Sequence, residues 1–292
     1  MIPTIYSEKY FANTPTASMV KLPLVAEAVT TNGYGKLIEP SSIDGIQNKL
    51  KKIHNIDYVN AFDQGIRPLC DSNGWDWTEE IRDGVYHINQ GQIDAAKLAL
   101  ENGISANIAQ GFHHSGPESG CGFCSFNGLA LVASEFPNLK VFVLDCDEHG
   151  GNGTAQFTEF MTNFAQVTIN GCNFGTIENE RTICYTLGKI TEKYETYQNH
   201  LELAFEIIED YKPDLIIYQA GADPHIDDPL GSLGMTTEQM RARDNYVFSQ
   251  TKNLNIPTMF VLAGGYQVPI KELLVPLHLN TFKEACKVYN KN

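Results

Sequence analysis

Short runs rich in β-branched and aliphatic residues alternate along this chain with longer segments of amphipathic, helical periodicity. Several of the short runs are almost continuously apolar, which is typical of strands buried on both faces of a parallel sheet. The predicted strands span residues 104–109, 140–145, 166–170, 182–186, 215–219 and 258–263. The predicted helices span residues 92–101, 126–136, 197–211, 237–252 and 271–288. The alternation predicts an α/β fold in which a mostly parallel central sheet is the middle layer of an αβα arrangement.

Neither an internal repeat nor a linker of biased composition divides the chain, so we expect residues 1–292 to form one domain. The 21 Lys and Arg against 35 Asp and Glu give a formal charge of −14 without a basic cluster, and we expect no direct binding to nucleic acid or membranes. No apolar run reaches the roughly 20 residues of a membrane span, and the first residues contain no signal-peptide core. Together with seven cysteines in no framework spacing, these features predict a cytoplasmic protein with reduced thiols.

Polar residues cluster just beyond the predicted strands, where parallel sheets bind their ligands. Asp145, Asp147 and His149 alternate in the string VFVLDCDEHGGNG, so an extended chain directs all three side chains the same way. Carboxylate oxygens and an imidazole nitrogen are ligands that Zn²⁺ accepts. An acidic strand end with a solvated histidine is the alternative interpretation.

A second polar string, YQAGADPHIDDPLG, follows the predicted strand 215–219. Asp223 in this string could complete a site of two aspartates and one histidine that leaves a position open for water, as catalytic zinc sites do. Alternatively, Asp223 begins an Asx-type turn before Pro224.

Two further motifs follow predicted strands. The adjacent His113 and His114 could transfer protons or bind a metal, or they could be an incidental surface pair. Gly264 and Gly265 would let the backbone approach a ligand closely before Tyr266, although an ordinary turn with a half-buried tyrosine is the alternative.

A C-x-x-C motif, Cys121-Gly122-Phe123-Cys124, precedes a predicted helix. The other cysteines provide no second close pair, so a structural zinc site is not expected. A thioredoxin-like redox site stays open as an interpretation.

Taken together and in this order, the motifs resemble the histone deacetylase family, within the arginase/deacetylase fold. The matching strings are ANIAQGFHHSGPESGCGFCSFN, VFVLDCDEHGGNGTAQF, IIYQAGADPHIDDPLGSLGMT and VLAGGY, with weaker similarity in IHNIDYVNAF and WDWTEEIRDGVYHINQGQIDAAKLALENG. The resemblance covers nearly all of the chain after about residue 40. It is strongest to the bacterial and class IV (deacetylase-11-like) branch and implies a single catalytic domain.

The resemblance implies a bound Zn²⁺, with Fe²⁺ as the alternative metal. The residues that match the metal ligands are Asp147, His149 and Asp223. It also implies a structural K⁺ at the backbone and side chain of Asp145, with a hydroxyl from Thr168.

The resemblance further implies a set of catalytic and substrate-binding residues. His113 and His114 match a histidine pair that Asp145 and Asn152, respectively, orient. Because some relatives have Asp where this chain has Asn152, we expect His114 to be less basic here. The residue that matches the carbonyl-polarising tyrosine is Tyr266, and those that match the lining of the acyl-lysine channel are Gly122, Phe123 and Gly265.

The implied reaction is metal-dependent hydrolysis of acetyl or longer acyl groups from N-acyl-lysine in proteins. Acetylpolyamines or other small N-acylated amines are the alternative substrates, and a catalytically weak acyl-lysine-binding protein is the alternative class. The sequence departs from the family at Gln110-Gly111-Phe112, in a shorter glycine run before Tyr266, and in residues 1–40, where the usual entrance loop is not recognisable.

Overall fold

The structure, a computed structural model, describes residues 1–290, whose strands form one eight-stranded sheet. The last two residues of the domain predicted over 1–292 lie outside this range. The strands β1 to β8, in chain order, are Ile2–Ile5, Gly35–Ile38, Ile104–Asn107, Val141–Asp145, Phe164–Asn170, Thr182–Thr186, Leu215–Gln219 and Thr258–Val261. Their spatial order is β2-β1-β3-β8-β7-β4-β5-β6, and every neighbouring pair is parallel.

Helices flank the sheet in two groups. The helices α1 to α9, in chain order, are Ala17–Thr31, Ile46–Leu50, Ile56–Gln64, Glu79–Asn102, Gly128–Glu135, Asn152–Thr158, Tyr194–Tyr211, Thr237–Asn253 and Val275–Tyr289. One group packs in the order α1, α9, α8 and α7, and the other contains α2, α4, α5 and α6. Among the helices within residues 1–290, none combines the length and the hydropathy that a membrane crossing requires.

The predicted α/β class and parallel sheet are confirmed, and the strand boundaries differ mainly where the chain enters the site. The strands predicted over 104–109 and 258–263 each end two residues earlier, at Asn107 and Val261. The chain bends after Asn107, where Ala109 N–H donates to the carbonyl of Asn107 (2.8 Å), but Leu262 N–H still donates to the carbonyl of Ala109 (2.9 Å). The apolar pattern therefore continues past the paired part of each strand.

The helix predicted over 92–101 is the final part of α4, which begins at Glu79. Thr78 caps its N-terminus by accepting the N–H of Ile81 (3.1 Å), and acidic residues occupy its first turn. Both features stabilise a helix start. At the other end of the chain, the segment predicted as one helix over 271–288 is a π-helical turn, Ile270–Leu274, followed by α9.

The four central strands β3, β8, β7 and β4 are neighbours, and each is buried along its whole length. Since they are parallel, their carboxyl ends meet at one edge of the sheet. Each of these strands is followed by candidate site residues: His113 and His114 follow β3, Tyr266 follows β8, Asp223 follows β7, and Asp147 and His149 follow β4. The topology thus brings motifs more than 150 residues apart in the sequence to one edge.

Candidate active site

Asp147, His149 and Asp223 converge at this edge. One potential ligand atom from each residue lies within 4.8 Å of the other two. Nδ1 of His149 lies 3.4 Å from Oδ1 of Asp147 and 3.4 Å from Oδ2 of Asp223. Both carboxylates are buried, and the imidazole is partly exposed. The three residues form a candidate metal centre with one accessible side.

The donor set of this centre fits a divalent transition metal. Within residues 1–290, Oδ2 of Asp223 is buried and accepts no hydrogen bond. Burial and the negative charge of Asp147 raise the pKa of Asp223 to about 7. The two carboxylates outweigh the burial of His149 and raise its pKa to about 11. Adjacent buried carboxylates are costly without a cation, and two carboxylates with one imidazole suit Zn²⁺ in an open catalytic site.

Backbone N–H groups hold the two carboxylates in place. Oδ2 of Asp147 accepts the N–H of Gly264 (2.7 Å), and Oδ1 of Asp223 accepts the N–H of Glu148 (3.1 Å). A Cβ at position 264 would lie 2.1 Å from Oδ2 of Asp223, so this close approach requires glycine. The loops after β4, β7 and β8 are therefore bonded to one another through the candidate ligands.

His113 and His114 stack with ring centroids 3.9 Å apart, but their surroundings differ. Nδ1 of His113 lies 2.7 Å from Oδ2 of Asp145, and Nδ1 of His114 donates to Oδ1 of Asn152 (2.7 Å). Although burial opposes it, the charges of Asp145 and Asp147 raise the pKa of His113. Burial and the charge of His113 lower the pKa of His114 well below its usual value. The surroundings therefore favour the protonated form of His113 and the neutral form of His114.

Tyr266 lies over the same cavity and is held from both sides. Its N–H donates to Oδ2 of Asp228 (2.8 Å), and its ring centroid lies 6.0 Å from that of Phe123. Burial, together with the charges of Asp223 and Asp147, raises the pKa of Tyr266 well above its usual value. The hydroxyl therefore keeps its proton and can donate a hydrogen bond.

Four residues beside the site that are not glycine have a left-handed backbone conformation. They are Phe112, Phe123, Ala263 and Phe174, with φ of 59°, 64°, 52° and 52°, and the ring of Phe174 packs on that of His114 (4.2 Å between centroids). Each such residue stores about 1–3 kcal/mol of strain. Gly122 and Gly265, which we predict to line the substrate channel, also have positive φ. The strain is concentrated next to the histidine pair, the channel loop and Tyr266.

Two predictions from the sequence concern groups next to this centre. Asp145 and Thr168 are register partners on β4 and β5, and both are buried. The K⁺ site stays a prediction.

Cys121 and Cys124 carry free thiols, and burial raises the pKa of both. Since the thiolate is the reactive form, the raised pKa values count against a redox role.

Sequence reasoning missed Lys21 and Arg243, two cations that are fully buried behind the site. Nζ of Lys21, on α1, donates to the carbonyls of Ala263 (2.7 Å) and Gly264 (3.2 Å). Nη1 of Arg243, on α8, donates to the carbonyls of Cys146 (3.1 Å) and Gly221 (3.0 Å), next to the ligand loops. The signal that could have indicated Lys21 is a lysine at the centre of the apolar helical segment SMVKLPLV.

A parallel αβα sheet that carries an Asp-His-Asp centre beside a buried histidine pair defines a protein of the arginase/deacetylase fold class. The chain belongs to the histone deacetylase family, because residues 16–282 match the Histone deacetylase domain. It is thus a hydrolase of the deacetylase family, as the sequence motifs predict.

Individual relatives are consistent with this assignment. The chain is 32% identical over 235 residues to an uncharacterized protein of Picosynechococcus sp. (strain PCC 7002), covering 77% of both chains. It is 32% identical over 187 residues to histone deacetylase 2 of Arabidopsis thaliana, covering 60% of this chain and 48% of that protein. The fold is similar to that of an acetylpolyamine aminohydrolase from Burkholderia pseudomallei, with a TM-score of 0.81, 16% identity and 99% coverage of both chains.

Proposed function

We propose that this protein is a zinc-dependent, cytoplasmic amidohydrolase of the class IV branch that removes acyl groups, above all acetyl, from N-acyl-lysine side chains of proteins. The observation that carries the proposal is the short distance between the histidine pair and the candidate metal ligands. Nε2 of His113 lies 3.8 Å from Oδ1 of the candidate ligand Asp147, and the rings of His114 and His149 are 5.9 Å apart. Proton-transfer groups and metal ligands therefore face one cavity.

Each side chain of the site has a distinct part in the proposed reaction. When bound by Asp147, His149 and Asp223, Zn²⁺ would polarise the substrate carbonyl as a Lewis acid and lower the pKa of water. His114 accepts the proton of the attacking water at Nε2 and returns it to the leaving amine. The Tyr266 hydroxyl donates a hydrogen bond to the carbonyl oxygen as negative charge develops there. The products are a carboxylate and a free amine.

The groups around these residues orient them. Asp145 holds His113, whose positive charge favours the negative transition state, and Asn152 fixes the tautomer of His114 with Nε2 unprotonated. Gly122, Phe123 and Gly265 line the approach of the acyl-lysine chain in this proposal. Fe²⁺ is the alternative metal, and a structural K⁺ at Asp145 and Thr168 belongs to the same proposal.

Small cationic N-acylated amines, such as acetylpolyamines, are the second candidate substrates. The observation that favours them is negative charge, since the chain has a formal charge of −14. Part of this charge lies near Tyr266: the Asp227 side chain is 74% exposed, and the neighbouring Asp228 accepts the N–H of Tyr266. A cationic amine would be attracted to such a surface.

A substrate panel tests the proposal. Zinc-loaded enzyme is assayed for release of carboxylate from N-acetyl-lysine peptides, longer N-acyl-lysine peptides and acetylpolyamines, with Asp223→Ala as the control for contaminating activity. We expect kcat/KM to be at least tenfold higher for one acetyl-lysine peptide than for any polyamine. The reverse order would establish the small-amine alternative, and no hydrolysis of any substrate would contradict the amidohydrolase proposal.

A further inference from the structure

We infer, on the basis of the proposed function, that Gln110 and Gln219 close the floor of the site cavity and restrict the acyl group to acetyl. Neither residue has a part in the proposed proton transfer or metal binding. Both are specificity-determining residues in this inference.

The cavity beside the candidate metal centre is small. Its volume is about 10 Å³, which is close to the least that a water molecule needs. Gln110 and Gln219 line it together with the histidine pair, Asp147 and Tyr266. Little free space therefore surrounds the candidate reacting groups, and an acyl group longer than acetyl would need a larger rearrangement of this lining than acetyl does.

The two glutamines are buried and contribute polar atoms that have no partner. Gln110 is 5% exposed and Gln219 is 1% exposed. Within residues 1–290, neither Nε2 of Gln110 nor Oε1 of Gln219 takes part in a hydrogen bond. One amide donor and one amide acceptor are therefore buried in the lining of the cavity.

The backbone under both glutamines is held in place, so the floor cannot recede easily. The carbonyl of Gln110 accepts Nε2 of Gln92 (2.7 Å), and the carbonyl of Gln219, the last residue of β7, accepts the N–H of Cys146 (3.0 Å). The Gln219 side chain packs against Gly111, where an added Cβ would lie 2.2 Å from Oε1. Lengthening the cavity therefore requires a change at the side chains themselves.

A longer acyl chain meets two obstacles at this floor. Each added methylene needs further volume from a cavity that is already small, and it would press hydrocarbon against amide groups that then stay buried without partners. One methylene in a fitted pocket changes kcat/KM by roughly 10- to 200-fold. Replacing Gln110 by a small residue should enlarge the cavity and remove one of the two unpartnered amide groups.

The test compares kcat/KM for acetyl, propionyl, butyryl and hexanoyl derivatives of one amine scaffold, measured with zinc-loaded wild-type enzyme, Gln110→Ala and Gln219→Ala. For the wild type we expect a fall of at least tenfold from acetyl to propionyl and a further fall for butyryl. For Gln110→Ala we expect the ratio of butyryl to acetyl hydrolysis to rise at least tenfold. Gln219→Ala should change this ratio in the same direction, and it serves as the test if Gln110→Ala does not fold.

Gln90→Ala is the matched control, because Gln90 is a buried glutamine whose amide bonds to Lys49 (2.9 Å) and Asp94 (3.2 Å) instead of lining the cavity. We expect its acyl-length profile to follow the wild type. Equal rates for acetyl and butyryl in the wild type, or unchanged ratios in folded Gln110→Ala, would overturn the inference while leaving the proposed function in place. A wild type that hydrolyses none of the series would overturn both.

Discussion

His113 and His114 make side-chain hydrogen bonds of the same length, 2.7 Å, and yet their pKa values are shifted in opposite directions. The partner of His113 is the carboxylate of Asp145, whereas the partner of His114 is the neutral amide of Asn152. A carboxylate stabilises an imidazolium more strongly than an amide oxygen does. Burial and the charge of His113 therefore dominate at His114 and lower its pKa. This difference favours the second histidine as the candidate base.

Replacing His114 tests that role. We expect His114→Ala to lower kcat by roughly 10²–10⁴-fold, the usual contribution of a positioned general base, while the bound metal is retained because His114 is not a candidate ligand. Steady-state kinetics and metal analysis of the purified variant provide the two readouts. A kcat within a few-fold of the wild type would transfer the base role to another group, His113 first.

Tyr266 provides the second prediction at the scale of single residues. Tyr266→Phe keeps the ring and its contact with Phe123 but removes the hydroxyl. Loss of one donor to a developing oxyanion costs about 2.7–4 kcal/mol, so kcat should fall 10²–10³-fold with little change in KM. A near-normal kcat would show that the short glycine run places this hydroxyl out of reach of the carbonyl.

At the scale of secondary-structure elements, His54 joins two loops of the site. It lies between α2 and α3, and its Nδ1 lies 3.0 Å from the carbonyl of Gly116 while its Nε2 accepts the N–H of Asn127 (3.2 Å). Asn127 in turn caps α5. Burial lowers the pKa of His54 to about 4, below its ordinary value of 6.5. The folded protein therefore holds this imidazole neutral.

This buried histidine predicts a pH-dependent stability. The unfolded chain binds a proton at His54 below about pH 6.5 and the folded chain only below about pH 4. Its stabilising contribution is therefore complete above pH 6.5 and is lost as the pH falls from 6.5 toward 4. By pH 5 the loss should be about 2 kcal/mol.

Urea unfolding at pH 7.5 and pH 5 measures this effect. The fall in the free energy of unfolding should be about 2 kcal/mol smaller in His54→Gln than in the wild type. In the control variant His87→Gln, which replaces a partly exposed histidine of α4, the fall should equal that of the wild type. The same fall in the wild type and in His54→Gln would contradict the assignment.

Lys21 links α1 to the loop after β8. Its ammonium holds the carbonyl of Gly264, whose N–H holds the candidate ligand Asp147. Groups that orient metal ligands usually contribute 10- to 100-fold to metal affinity or activity. We therefore expect Lys21→Met to lower zinc affinity or kcat by that factor, measured by competition with a chelator and by kinetics. Lys49→Met is the control, because among the described contacts the Lys49 side chain bonds only to Gln90, and we expect this variant to behave as the wild type. Equal zinc affinity and equal kcat in the two variants would contradict the role of Lys21.

At the scale of the whole molecule, the sequence predicts those parts of the fold and of the candidate site whose residues lie close together in the chain. Asp147 and His149 lie two residues apart in the loop that follows β4, and strand-end placement predicts that they meet Asp223. The short strands β1 and β2 and helix α1 have no comparable motif, so the pattern does not indicate them. Lys21 could not be assigned because its contact spans 242 residues. The roles of the site residues stay predictions that the geometry supports.

Metal titration of the whole enzyme tests the central claim most directly. Protein freed of metal by a chelator is titrated with Zn²⁺, and bound metal and carboxylate release from the best N-acyl substrate are measured together. We expect both to rise in parallel and to saturate at about one metal per chain, with Asp223→Ala binding little and turning over none. Full hydrolysis by the metal-free protein, or saturation with metal without hydrolysis of any N-acyl amine, would contradict the account.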